Sequence, residues 1–364
     1  MTLTSLPNEL LDIVVRYSLP QSFENFAMTC RLVYYDYYPH DGLVAASDLI
    51  ALIAVEPIIA RYIHVADLQA DSRFLRHARA RGQPPKSVPS IENGGAIVEL
   101  FANSAILRRA RLDWRKFYST FAEDVREARY SQNGSAFLLT LLEDAESLTL
   151  PFQWKQNATT HRLLNALSIE AKQPNPLSSG LRSANHLEAS TSRLDSESWG
   201  LRWAGPFLNL PHLKTFRSRG CLAVGQNLRS LTFRGSPYMA ETLEEAYLRA
   251  CCIDAVGITD FLKHTPRLKT LRYSHSTKHG YCPLDWDICK FVNAIGHEAG
   301  SHLLELQVDI GEVRGSILPG KVSMQWFKKL QKLCCPLELV MCNVDAAGVT
   351  GMIANSFQRM FNGS

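Results

Sequence analysis

From about residue 140 onward short leucine phrases recur, and they constrain the fold more than any other feature: LEDAESLTLPF, LPHLKTFRSRG, LRSLTFRGS, LEEAYLRAC, PRLKTLRYSHS, LLELQVDIG and FKKLQKL. Several obey Leu-x-x-Leu-x-apolar, as in Leu228, Leu231 and Phe233, in Leu268, Leu271 and Tyr273, and in Leu303, Leu306 and Val308. Alternation over the last three positions puts the apolar side chains on one face of a short strand. Such a strand cannot bury that face alone, so like units must stack on one another. Between Leu228, Leu243, Leu268 and Leu303 the gaps are 15, 25 and 35 residues, whereas regular repeats hold to about 20–29. The pattern predicts an irregular βα solenoid with a parallel strand ladder and helices such as GITDFLKHT between strands. Leu231, Leu271 and Leu306 then share one core, with Arg229, Lys269 and Glu305 on or near the outer face. An ordinary α/β domain with amphipathic strands is the alternative.

The N-terminus reads differently. In MTLTSLPNELLDIVVRYSLP, Ser5 can cap a helix and Pro7 lies just inside its start, where a missing N–H costs nothing. Leu6, Leu10, Leu11, Val14 and Tyr17 form a helical stripe. A second helix, SFENFAMTC, groups Phe23, Phe26, Ala27 and Cys30, and a third follows in RLVYYDYY before Pro39. Three short helices in about thirty-five residues cannot cover this much apolar surface among themselves.

The run LPNELLDIVVRYSLPQSFENFAMTCRLVYY resembles the F-box, with Leu6, Pro7, Glu9, Leu10, Leu11, Val14, Phe23 and Cys30 on pattern positions and Val33 and Tyr34 where a tryptophan often follows Cys-Arg. The resemblance covers residues 5 to about 40. It implies that the uncovered stripe is an interface for the Skp adaptor of cullin-type ubiquitin ligases, carried by Leu6, Pro7, Leu10, Leu11, Val14, Leu19, Phe23 and Phe26. An F-box followed by irregular leucine-rich repeats is similar to the arrangement in many fungal F-box proteins. The resemblance implies an α+β or α/β chain: a three-helix F-box over 1–40, a helical connecting region over 41–130, and a leucine-rich-repeat-like substrate-recognition domain over 131–364. Its partners would be the adaptor, through it a cullin, and a target protein. It implies a non-catalytic receptor subunit without cofactor or metal. An F-box scaffold acting outside ubiquitination, or a helical and repeat interaction protein without an F-box, would carry the same stripe.

Composition fits this reading. With 46% hydrophobic and 20% charged residues the chain is that of a globular protein, and a net charge of +4 is too mild for a nucleic-acid partner. The most apolar window, LIALIAVEPIIA, contains Glu56 and Pro57 and falls short of the roughly 20 residues a membrane span needs, so a buried helix is expected there. MTLTSLP lacks a signal-peptide pattern, and a cytoplasmic or nuclear location is expected. Nine scattered cysteines are expected to be reduced thiols, and the sequons at Asn133, Asn157 and Asn362 unused. GQPPKSVPSIENGG (82–95) reads as a loop, and the Ser-, Asn- and Pro-rich stretch 172–198 as a mobile insertion.

Catalytic patterns are approached and missed. GSILPGKV (315–322) has the glycines and lysine of a phosphate loop but Val322 where a magnesium-binding hydroxyl belongs, and Pro319 removes an amide. In HEAGSH the histidines stand five apart, where a shared zinc on one helix needs four. His275, His279, Cys282 and Cys289 lack the separations of a zinc module.

Overall fold

The computed structural model describes residues 45–69, 71, 89–152, 154–155, 157–173, 180–190, 199–224, 239–278 and 285–336. The whole predicted F-box, with Leu6, Pro7, Leu10, Leu11, Val14, Leu19, Phe23 and Phe26, lies outside them, as do Leu228, Arg229, Leu231 and Phe233. The fold is mixed α/β, and the described residues divide into two compact units. Unit 1 takes in the described residues up to 199, with 203–217 and 239–242; unit 2 takes in 200–202, 218–224 and 243–336.

Unit 1 begins with α1 (Ala46–Val55), which buries Leu49, Ile50 and Ile53 and passes through Pro57 into a 3-10 turn, Pro57–Tyr62. This is the buried helix expected of LIALIAVEPIIA. Its first amide has a distant cap: Ala46 N–H donates to Asp71 Oδ1 at 3.1 Å, and Ser135 Oγ donates to the other carboxylate oxygen. Strand β1 (Val65–Asp67) follows, then α2 (Ala96–Ala102), α3 (Ala105–Arg109), α4 (Trp114–Arg126) and α5 (Gln132–Leu139). Side chains cap each of the last three: Ser104 accepts from Leu107 N, Asp113 from Arg115 N and Ser131 from Gly134 N. Residues 89–95 are loop and turn, as read. The helices close around rings. Phe101 stacks on Phe137 at 3.7 Å and meets Tyr118 edge-on at 5.1 Å and Phe121 at 5.3 Å. Gly134 lets the Phe121 ring lie close, because a Cβ there would stand 3.0 Å from it and the ring would have to give by a few tenths of an ångström.

Strand β2 (Ser147–Thr149) pairs in parallel with β1, and β3 (His186–Ser190) in parallel with β2, with α6 (Ala158–Ala171) between them in sequence. Strand β3 corrects the expected mobile insertion. Within 172–198 residues 186–190 are ladder, and Leu187 and Ala189 are buried; residues 174–179 and 191–198 are outside the described set. The polar composition of the window averages away a short alternation that pairing on both sides of the strand orders. Glu170 is buried on α6 and is ion-paired to Arg109. Strand β4 (Trp199–Gly200), α7 (Gly205–Leu208) and β5 (Thr215–Arg219) complete this stretch.

In unit 2 the ladder is longer. Strand β6 (Cys221–Ala223) pairs in parallel with β7 (Glu245–Ile253), β7 with β8 (Thr270–His275), β8 with β9 (Glu305–Ile310), and β9 with β10 (Lys332–Cys334). Between β7 and β8 runs α8 (Ala255–Lys263), the helix expected of GITDFLKHT, and between β8 and β9 runs α9 (Ile288–Ala299). Register places Ala246 beside Leu271 and Leu271 beside Leu306, all fully buried. Lys269 and Glu305 lie toward the outer face, as expected.

Burial follows the phrase strand by strand. Ile63-x-x-Ala66-x-Leu68, Ala145-x-x-Leu148-x-Leu150, Ala184-x-x-Leu187-x-Ala189, Leu243-x-x-Ala246-x-Leu248, Leu268-x-x-Leu271-x-Tyr273 and Leu303-x-x-Leu306-x-Val308 are each buried at all three positions. The strand starts also share a hydrogen-bond device. In unit 1 His64 O accepts from Glu146 and Ser147, and Glu146 O accepts from Asn185 and His186. In unit 2 Glu244 O accepts from Lys269 and Thr270, Lys269 O from Leu304 and Glu305, and Leu304 O from Gln331 and Lys332. One carbonyl holding two successive amides fixes the offset between neighbouring strands.

Candidate partner-binding face

The residues between the buried positions of β7–β10 point the other way, because strand side chains alternate. Register aligns them in rows: Glu245, Thr270, Glu305 and Lys332 in one, and Tyr247, Arg272, Gln307 and Cys334 in the next. Ser274 faces Asp309 beyond them. Glu305 is the hub of the first row. Its Oε1 accepts from Arg272 Nε at 2.9 Å and from Lys332 Nζ at 3.1 Å. Burial raises its pKa, but the hydrogen bonds from Lys332 and Arg272 outweigh that, and the net shift is downward. The Arg272 guanidinium also lies 5.2 Å from the Tyr247 ring centre, while Tyr247 Oη donates to Glu245 Oε2 at 2.9 Å. Gln307 Nε2 donates to Asp309 at 2.7 Å. The face therefore offers one ring and several charges held in place by their neighbours, which lowers the entropy cost of binding a partner.

In unit 1 the corresponding row is Asp67, Thr149 and Glu188. Burial pushes the Asp67 carboxyl up to about 6; the Gln69 amide, which donates to it at 2.9 Å, partly offsets this, and Glu188 adds to it. A cleft of about 670 Å³ opens elsewhere in this unit, lined in part by Ile53, Pro57, Arg61, Leu100, Asn103 and Glu143.

The other chemical groups in unit 2 are committed to structure. Tyr273 Oη lies 2.7 Å from His275 Nδ1, and the His275 ring stacks on Trp286 at 4.0 Å and 5°. Burial, with Lys278 nearby, lowers the His275 pKa to about 4, so the ring is neutral at physiological pH. His279 and Cys282 lie outside the described residues, and among the described residues no group of three His, Cys, Asp or Glu side chains could hold a metal ion. Cys221 and Cys251 are buried free thiols 3.1 Å apart, and burial, with Cys251 beside it, pushes the Cys221 thiol well up, away from a reactive thiolate. Cys334 and Cys335 are free thiols too, but Cys252 is disulfide-bonded, which corrects the all-thiol expectation.

The near-phosphate loop is also spoken for. Ser316 N–H donates to Asp285 Oδ1 at 2.7 Å and Leu318 N–H to Trp286 O at 2.9 Å, so amides a phosphate would need are taken and a carboxylate stands beside them. His297 of HEAGSH lies against Trp326 at 4.3 Å. Asn133 is buried, whereas Asn157 is exposed and caps α6, its Oδ1 accepting from Thr160 N–H. Among the described residues no helix is long and apolar enough to cross a membrane.

Sequence reasoning found Lys269 and Glu305 but missed Tyr247, Arg272, Gln307 and Lys332 as one surface. Arg272 and Lys332 stand 33 and 27 positions from Glu305, and only strand register joins them. Neither a family model nor a curated protein matches this chain.

Proposed function

We propose that the chain is the substrate-recognition subunit of a Skp–cullin–F-box ubiquitin ligase. The observation that carries this reading is the run Leu6-Pro7-x-Glu9-Leu10-Leu11, with Val14, Leu19, Phe23 and Phe26 completing an apolar stripe that a unit of this size cannot cover alone. Those residues dock the adaptor, and the outward rows of the strand ladder hold the target protein. The irregular leucine-rich-repeat reading is supported by the buried phrases, by the parallel register of Leu271 with Leu306, and by the carbonyl that recurs at the starts of β2, β3, β8, β9 and β10. Tyr247, Arg272 and Gln307 are the contact residues, since they combine a ring, a guanidinium and an amide on one row. The subunit supplies no catalytic residue or cofactor. It acts by proximity, raising the effective concentration of target lysines near a charged conjugating enzyme.

Affinity purification of the full chain under proteasome inhibition, with mass spectrometry of what co-purifies, tests this. Recovery of a Skp-type adaptor together with a cullin is the expected result. Adaptor without cullin would make the chain a scaffold outside ubiquitination, and recovery of neither would remove the proposal.

A further inference from the structure

Between β9 and β10 the ladder has no α-helix. After β7 and β8 the chain returns through α8 and α9, but residues 311–331 form a strap whose helical part is one 3-10 turn, Met324–Trp326. The strap lies lengthwise on α9. A Cβ on Gly320 would stand 2.7 Å from Cys289 Cβ. Asn293 then holds the strap twice, donating from Nδ2 to Lys321 O at 2.8 Å and accepting at Oδ1 from Ser323 N–H at 3.0 Å. One turn on, a Cβ on Gly296 would stand 3.1 Å from the Phe327 ring, and the His297 and Trp326 ring centres are 4.3 Å apart. At the end of the helix Gly300 O accepts from Lys328 N–H at 3.0 Å. Cys289, Asn293, Gly296, His297 and Gly300 recur at helical spacing, so these anchors follow one side of α9 for about 17 Å. Glu298 is on the far side of the helix from them.

The outer side of the strap is open. None of residues 311–336 is buried, and Leu318, Met324 and Trp326 are 37%, 43% and 37% exposed. Between Glu312 and Glu338 the sequence has no acidic residue and five basic ones, more than the net charge of +4 of the whole chain. Arg314 is paired with Glu312 and Lys332 with Glu305. Among the described residues no carboxylate pairs with Lys321, Lys328 or Lys329, which are all exposed. Asp287, near Gly320, is taken by Lys290.

Apolar side chains set among unpaired cations complement an acidic segment that also carries apolar groups. The cations steer it, and a tryptophan and a methionine supply adaptable apolar contact. Leu318, Met324 and Trp326 are each more than half covered, so they line a ledge and do not project as insertion into lipid requires. One exposed tryptophan is too few to stack the bases of a nucleic-acid strand.

We propose that the strap is a docking ledge for an acidic protein segment with apolar side chains between its carboxylates. Leu318, Met324 and Trp326 meet the apolar groups, and Lys321, Lys328 and Lys329 meet the carboxylates. This is a second face, on the helix side of unit 2 and away from the outward strand rows, and it does not depend on the ligase reading.

Fluorescence anisotropy of a labelled peptide alternating Glu with Leu and Phe, titrated with the full chain, tests the proposal. The native chain is expected to bind it, and to bind the same peptide with Gln for every Glu at least about tenfold more weakly. Lys328→Glu with Lys329→Glu, and separately Trp326→Ala, should each weaken the acidic peptide at least about tenfold while a melting curve keeps the transition of the ladder. Lys263→Glu, an exposed cation on α8, should leave binding unchanged. If Trp326→Ala unfolds the chain, the lysine pair decides. No binding of the acidic peptide by the native chain would overturn the proposal, as would equal loss in Lys263→Glu, which would reduce the effect to net charge. Binding to phosphatidylserine–phosphatidylcholine vesicles that the strap variants abolish, with peptide binding untouched, would make a lipid surface the occupant instead.

Discussion

In unit 1 the rings of Phe101, Tyr118, Phe121 and Phe137 converge from three helices, and the strands on either side of them in sequence are short: β1 and β2 have three residues each. In unit 2 β7, β8 and β9 run to nine, six and six residues, and the core is a stack of mostly aliphatic side chains in register, Ala246 on Leu271 on Leu306, with α8 and α9 filling the intervals. A ring cluster has no period and concentrates its energy at a few sites. A ladder spreads it over equivalent positions, so any one truncation is felt by the layers on either side. That contrast sets where each unit is most easily broken.

Phe101→Ala should be the largest single loss. Its ring touches four others within 6.2 Å and is fully buried, so unit 1 is expected to lose about 3–5 kcal/mol in denaturant unfolding. A loss below about 1 kcal/mol would mean that the ring cluster is not what holds these helices. Leu271→Ala is expected to cost unit 2 about 2–5 kcal/mol. Combined with Leu306→Ala it should depart from additivity, because the two leucines are direct neighbours; strict additivity in a double-mutant cycle would contradict the shared core.

Asp67 sharpens the comparison through pH. Its folded pKa is raised to about 6 from 3.8, so the folded chain binds this proton more tightly than the unfolded chain does. The group therefore contributes stability that is fully present below about pH 4 and is lost as pH rises through 6. Asp67→Asn should stabilise unit 1 by about 1–3 kcal/mol at pH 7.5, with the gain vanishing near pH 4. Urea titrations of both proteins across that range would show it, and a pH-independent difference would not fit. The smallest effect is expected at Glu305→Gln. Its partners Arg272 and Lys332 are largely solvated, so unit 2 should lose less than about 1 kcal/mol, and less still at high salt.

These positions were unevenly legible in the sequence. Strands β8 and β9 could be read because Leu268, Leu271 and Tyr273, and Leu303, Leu306 and Val308, are large and alternate over a whole strand. Ile63, Ala66 and Leu68 keep the same rhythm and are buried, but a small central residue in a three-residue strand beside a helix hides it. Ala184, Leu187 and Ala189 are hidden by the serines and asparagines around them. Of the outward rows only Glu305 could be read, since pairing Arg272 and Lys332 with it takes a register that no local pattern fixes, and the raised pKa of Asp67 depends on burial and on Glu188 two strands away.

The proposed adaptor docking is the centre of the account, and the helix that the sequence predicts around Leu10 and Leu11 tests it most directly. Leu10→Asp combined with Leu11→Asp removes two leucines, each worth about 1.5–3 kcal/mol when buried, and places charges in an apolar interface. Titration calorimetry against the Skp adaptor should show affinity reduced at least about 100-fold, while a melting curve of the same protein keeps the transition of the strand ladder. Unchanged binding with intact folding would contradict the F-box reading, and collapse of the whole chain would place this helix in the core instead of at an interface.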